Sequence, residues 1–96
     1  MIVSISPETE RELIDIAIFY AEQESAELGL AFIVEFDRAL EVLREHPNFG
    51  ALWRDMTRRF PLRRFPYNLL YVVEGSELRV MAVVHQRRPG YWSTRK

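Results

Sequence analysis

The chain has 96 residues, 13 Lys and Arg against 14 Asp and Glu, no Cys, and 48% apolar residues. That length supports one compact domain spanning residues 1–96, and most of its Phe, Ile, Leu and Val must be buried because so short a chain removes only about 60–65% of its surface from water. The missing Cys excludes disulfide frameworks, thiol nucleophiles and thiolate metal sites.

The longest apolar run falls far short of the about 20 residues a membrane span needs. Met1 to Ser6 lacks the basic segment and long apolar core of a secretion signal, so a cytoplasmic location without membrane contact is expected. The near-neutral total conceals a division: residues 1–50 hold 11 acids and 3 bases, residues 51–96 hold 3 acids and 10 bases. Such asymmetry points to a basic face that meets nucleic acid or an acidic protein segment. Twelve of the thirteen bases are Arg. Guanidinium suits bidentate phosphate contacts, although a G+C-rich genome produces the same bias.

Met1 to Ser6 alternates weakly and predicts one short strand. Ser6-Pro7 with Glu8 and Glu10 is a helix start: a hydroxyl cap, Pro at the first helical position, and acids in the first turn. Leu13, Ile16, Ala17 and Tyr20 recur at helical spacing, and Ile14 and Ile18 widen the apolar face, which predicts a first helix sandwiched between other elements. A second helix begins near Ser25, carries Leu28, Phe32, Phe36, Ala39, Leu40 and Leu43, and stops by His46 because Pro47 follows. The two form a helical hairpin. Gly29 inside the second pattern costs about 1 kcal/mol relative to Ala.

Asn48 to Asp55 reads as a loop, and three strands follow. Phe60 and Leu62 alternate with Arg59, Pro61 and Arg63, and a Pro within the run places that strand at a sheet edge or bulge. Tyr67–Glu74 then joins Leu78–His85 through Gly75-Ser76 as a hairpin. With Glu74 opposite Glu77, Val73 faces Leu78, Tyr71 faces Val80, Leu69 faces Ala82 and Tyr67 faces Val84, all on the core side. Arg79, His85 and Arg87 then project from the other face. The fold class is α+β, in the order β-α-α-β-β-β, with the helical hairpin packed on a small antiparallel sheet.

Cleavage of RNA through a ribose 2′-hydroxyl needs a base, cations for the phosphate and an acid for the leaving oxygen. His85, Arg87, Arg88 and Tyr91 are residues of those types, and they equally read as a solvated strand end. Arg54, Arg58, Arg59, Arg63 and Arg64 suit phosphates or an acidic partner, or an edge strand that deters aggregation. Phe32, Phe36, Phe60, Phe65, Tyr67 and Tyr71 sit at core periodicities, Trp53 and Trp92 fall in segments without a clear period, and the acids of the first helix form a solvated face. Two His, His46 and His85, with no HExxH and no Cys, predict neither metal nor cofactor.

Leu28-Gly29 with Phe32, His46-Pro47-x-x-Gly50, Arg64-Phe65-Pro66-Tyr67-x-x-x-Tyr71 and His85-x-Arg87-Arg88-Pro89-Gly90-Tyr91-Trp92, in this order over nearly the whole chain, resemble the RelE/ParE toxin superfamily. They are most similar to its ParE-like plasmid stabilisation branch. The resemblance implies a strand, a helical hairpin and an antiparallel sheet. It also implies the toxin of a type II toxin–antitoxin module, a growth inhibitor held in a hetero-oligomer by a cognate antitoxin whose otherwise disordered segment covers the helices and sheet. Ile14 and Ile18 are the candidates for that contact, since an acidic, apolar segment would match both the wide first-helix face and the basic second half.

The resemblance leaves two targets open. ParE-like toxins inhibit DNA gyrase without catalysis; RelE-like toxins cut mRNA on the ribosome. On the first reading Arg59, Arg63, Arg64, Arg79, Arg87 and Arg88 bind the target. On the second His85, Arg87 and Tyr91 are catalytic. Lys96 is the only Lys, so the lysines common in RelE-like sites are missing, and Arg with a pKa above about 12 shuttles protons poorly. That departure favours the gyrase inhibitor. An inactive relative that only binds antitoxin is a third reading.

Overall fold

The computed structural model describes residues 1–87. The elements run β1 (Ile2–Ile5), α1 (Pro7–Gln23), α2 (Ala26–Glu45), β2 (Ala51–Arg54), β3 (Thr57–Pro61), β4 (Tyr67–Glu74) and β5 (Glu77–His85). Both helices begin where their caps predict: Ser6 Oγ accepts from Thr9 N and Ser25 Oγ from Leu28 N, each at 3.1 Å. Among the described residues no helix is long and apolar enough to cross a membrane.

One five-stranded sheet has the order β1-β5-β4-β3-β2. It is antiparallel from β2 to β5, and β1 runs parallel to β5, because the two helices between β1 and the rest carry the chain back over the sheet. β2 occupies part of the segment expected as a loop. Its turn to β3 uses Asp55 at φ 51° and Met56 rather than the Gly-containing pairs that announce a hairpin, so no local signal marks it. β3 is consequently an interior strand rather than an edge, and Pro61 is tolerated because it is the last residue of that strand.

The β4–β5 hairpin starts in the expected register, with Glu74 opposite Glu77, Val73 opposite Leu78 and Tyr71 opposite Val80. It then slips by one. Leu70 faces Ala82, so Met81 is an extra residue in β5, a β-bulge, and beyond it Leu69 faces Val83 and Tyr67 faces His85. The carbonyl of Met81 accepts a hydrogen bond from Thr9 Oγ1 at 3.2 Å, and Thr9, fully buried in the first turn of α1, is itself bonded to the Ser6 cap. The slip carries Val83 and His85 to the side of the sheet covered by the helices. Ala82 and Val84 turn to the other side, where they pack with Leu70 and Trp53 as a second small cluster.

The main core lies between helices and sheet and includes Leu13, Phe32, Phe36, Leu43, Leu69, Tyr71 and Leu78. α1 is not sandwiched: Leu13, Ile16, Ala17 and Tyr20 meet the core, whereas Ile14, Ile18 and Phe19 are exposed. Gly29 of α2 lies against α1, where an added Cβ would stand 2.6 Å from the carbonyl of Ala17 and 3.1 Å from Ala21 Cβ. The end of α2 is tied to the sheet by Tyr71, whose buried hydroxyl donates to Pro47 O at 2.7 Å and accepts from Gly50 N at 2.9 Å. A Cβ on Gly50 would fall 2.6 Å from that hydroxyl. His46-Pro47-x-x-Gly50 and Tyr71 are therefore two halves of one joint.

Two stability measurements by chemical denaturation check this packing. Gly29→Ala, which raises helix propensity by about 1 kcal/mol, should instead lower stability by about 1–3 kcal/mol through overpacking against Ala17. Tyr71→Phe should lower it by about 1–3 kcal/mol, because it leaves the Gly50 N–H and the Pro47 carbonyl without their partner.

Candidate functional site: a helical groove and a divided basic surface

Ile14 and Ile18 are 55% and 48% exposed. They line a groove of about 440 Å³ between α1 and α2, together with Ala17, Ala21, Gly29, Leu30 and Ile33, and its walls are almost wholly apolar. The groove exists because small residues, Ala17, Ala21 and Gly29, let the helices approach while the larger side chains stand to either side. Leu30 was not among the residues singled out above. Its signal was a leucine off the Leu28–Phe32–Phe36 stripe, on the side of α2 left to solvent, and it is 67% exposed.

His85 sits on the helix-covered side of the sheet and not with Arg79, because the bulge at Met81 inverts the alternation between them. It borders a hollow of about 270 Å³ with Glu12, Asp15, Ile16 and Tyr67, and its ring meets Tyr67 edge-on at 5.2 Å. Burial, and then the nearby Tyr20, push the Tyr67 phenol above its ordinary pKa. His85 Nδ1 accepts from the backbone N–H of Arg87 at 3.1 Å.

Arg87 follows His85 by two positions and meets it through its backbone N–H, whereas Arg59, Arg63, Arg64 and Arg79 do not converge. Arg79 lies toward the Gly75–Ser76 end of β5 and pairs with Glu74. Arg63 and Arg64 lie in the β3–β4 connection at the other end of β4. Arg64, at φ 73°, borders a hollow with Glu24 and Glu27 at the helical turn. Arg59 is opposite Leu70 and Ala51, on the face away from the helices. Arg88 and Tyr91 lie outside the described residues, as does Trp92. Among the described residues no group of three or more His, Asp or Glu is placed to hold a metal ion.

A model of the family described as ParE toxin of type II toxin-antitoxin system, parDE, matches residues 3–90. The chain belongs to this ParE toxin family. Among solved structures, one titled "Chromosomal ParDE TA system from P. aeruginosa" superimposes with a TM-score of 0.78 at 19% identity, covering 88% of this chain and 95% of that one. At that identity the likeness establishes the fold: strand, helical hairpin and sheet. A search of curated proteins finds no match.

In this ParE fold the Arg64-Phe65-Pro66-Tyr67 motif is a packing device. Phe65 is buried against Tyr20 and Phe32 at ring separations of 5.1 and 5.2 Å, and the turn is closed by Leu62 N bonding to Tyr67 O and Tyr67 N to Phe65 O. Glu35 of α2 locks the same turn. Its Oε2 accepts from Arg63 N at 2.6 Å and from Arg38 Nη2 at 2.7 Å, and its Oε1 accepts from Arg38 Nε at 2.7 Å. The hydrogen bonding from Arg38 holds the Glu35 carboxyl below the usual carboxylate range; partial burial opposes the shift, and the Arg63 N–H adds to it.

Because Glu35 ionises more readily folded than unfolded, its stabilisation is complete above the unfolded pKa and is lost as pH falls through the folded one. Thermal unfolding midpoints measured between about pH 6 and pH 3 should therefore fall with acid, and Glu35→Gln should flatten part of that dependence. An equally steep curve in the variant would show that this clamp contributes nothing.

Proposed function

We propose that the chain is a growth-arresting toxin that inhibits DNA gyrase without catalysis and is neutralised by a cognate antitoxin laid along the α1–α2 groove. The observation that carries the non-catalytic reading is the placement of His85: it borders the hollow that Glu12 and Asp15 also line, on the face of the sheet opposite to Arg59 and Arg79. RNA cleavage needs a base and cations around one phosphate. Among the described residues His85 shares its hollow with acids, and Arg59 and Arg79 lie on the other face of the sheet. Gyrase as the target is what membership of the ParE family implies.

The antitoxin reading rests on the groove. Exposed Ile14, Ile18 and Leu30 form an apolar strip that a segment folding on binding can cover with its own apolar side chains, in the helix-in-groove manner. The hetero-oligomer follows from that contact, and the cytoplasm is the compartment in which both gyrase and antitoxin would be met.

Tightly induced expression with labelled thymidine and labelled methionine tests the target. DNA synthesis should fall first, the purified toxin should block supercoiling by gyrase, and His85→Ala should remain toxic. Early loss of translation with mRNA cut within codons would overturn this in favour of the ribosome-dependent nuclease, and no arrest at all would indicate a relative that only binds antitoxin. Ile14→Asp and Ile18→Asp, both at exposed positions, should weaken antitoxin binding by about tenfold or more in a titration.

A further inference from the structure

A second set of exposed apolar side chains lies at the far end of the sheet. Phe49, Leu52 and Met56 are 62%, 63% and 67% exposed, and they stand in and beside β2. β2 ends the strand order, with β3 on one side and no strand on the other among the described residues. It is remote in that order from β5, the strand on which α1 packs. An unpaired edge is ordinarily protected by being short, bulged or charged. β2 is short, at four residues, and has a register break between Leu52 and Arg54, yet Leu52 within it and Met56 in the turn that follows it are bare where polar side chains would protect it.

The charge around this edge is one-sided. Residues 46–73 hold five Arg and a single acid, Asp55. The pairing of β2 with β3 puts Leu52 beside Arg58 on one face and Ala51 beside Arg59 on the other. Arg58 is held in place by donating from Nη1 to Gly50 O at 2.7 Å and Asn48 O at 3.2 Å, and the Arg54 guanidinium lies 4.8 Å from the Trp53 ring. Apolar side chains flanked by fixed cations on an open strand edge match an acidic segment with apolar residues of its own, added in extended form as a further strand. A nucleic acid backbone would use the arginines and leave Leu52 and Met56 without a role.

We propose that the β2 edge, with Leu52 in the strand, Met56 in the turn beside it and Arg58 and Arg59 on its two faces, is the surface that engages the toxin's protein target through an acidic, extended segment of that target. This rests on the toxin reading above and gives the target a surface separate from the α1–α2 groove.

The test uses the full-length toxin, with Leu52→Glu, Met56→Glu and Arg59→Glu made singly, and reads growth arrest on induction, inhibition of gyrase supercoiling and antitoxin affinity. Each variant should need about tenfold more protein for half-inhibition, and should lose growth arrest, while binding antitoxin as the unaltered protein does. Variants as toxic as the unaltered protein would overturn the proposal, and so would parallel loss of antitoxin binding, which would mean that the surface is not separate. Loss with Arg59→Glu alone would overturn it in favour of a nucleic acid contact. If the unaltered toxin arrests growth without touching supercoiling, gyrase is the wrong target. In that case loss of arrest in the Leu52 and Met56 variants still supports the edge as the target surface.

Discussion

The hydrogen bond from Thr9 Oγ1 to the carbonyl of Met81 joins the first turn of α1 to the middle of β5. Its acceptor belongs to the residue that has no partner in β4. A bulge frees one peptide group from the sheet ladder, and a freed carbonyl within a folded interior needs a donor. Thr9 supplies it, and Thr9 is positioned in turn by the Ser6 cap that starts the helix. Helix start, helix docking and strand register are thus one arrangement. Everything beyond Met81 in β5 is inverted by it, so that Val83 completes the core under the helices and Val84 completes the smaller cluster beneath Trp53.

The chemistry of the surface follows from the same inversion. With uninterrupted alternation, His85 would share a face with Arg79, and the sheet would present a base and cations together. The bulge separates His85 from Arg79, leaving it against the Tyr67 ring on a hollow that Glu12 and Asp15 also line. The family's motifs have structural duties elsewhere: Gly50 makes room for the Tyr71 hydroxyl, Gly29 makes room for α1, and Phe65 plugs the space between Tyr20 and Phe32.

Two surfaces of the fold are apolar and differ in charge. The groove between the helices lies on the acidic half of the chain, and the β2 edge lies on the basic half. In this arrangement the division of charge along the chain becomes a division of charge across the fold.

The sequence by itself determined the helices with their caps and ends, because each depends on residues a few positions apart: Ser6 with Thr9, Ser25 with Leu28, the apolar positions of α1 and α2, and Pro47 after His46; the α+β class and the family were legible because short motifs and periods follow one another in a fixed order along the chain. The hairpin was legible as far as Val80 for the same reason. Only the tertiary structure decided which face His85 occupies, since that depends on a bond between residues 72 positions apart that shifts the register by one. It also decided that Ala51–Arg54 is a strand, because β3 supplies hydrogen-bond partners that no local signal announces, and that Ile14 and Ile18 remain uncovered. Local periodicity says which side chains share a stripe; whether that stripe meets another element depends on how distant segments dock.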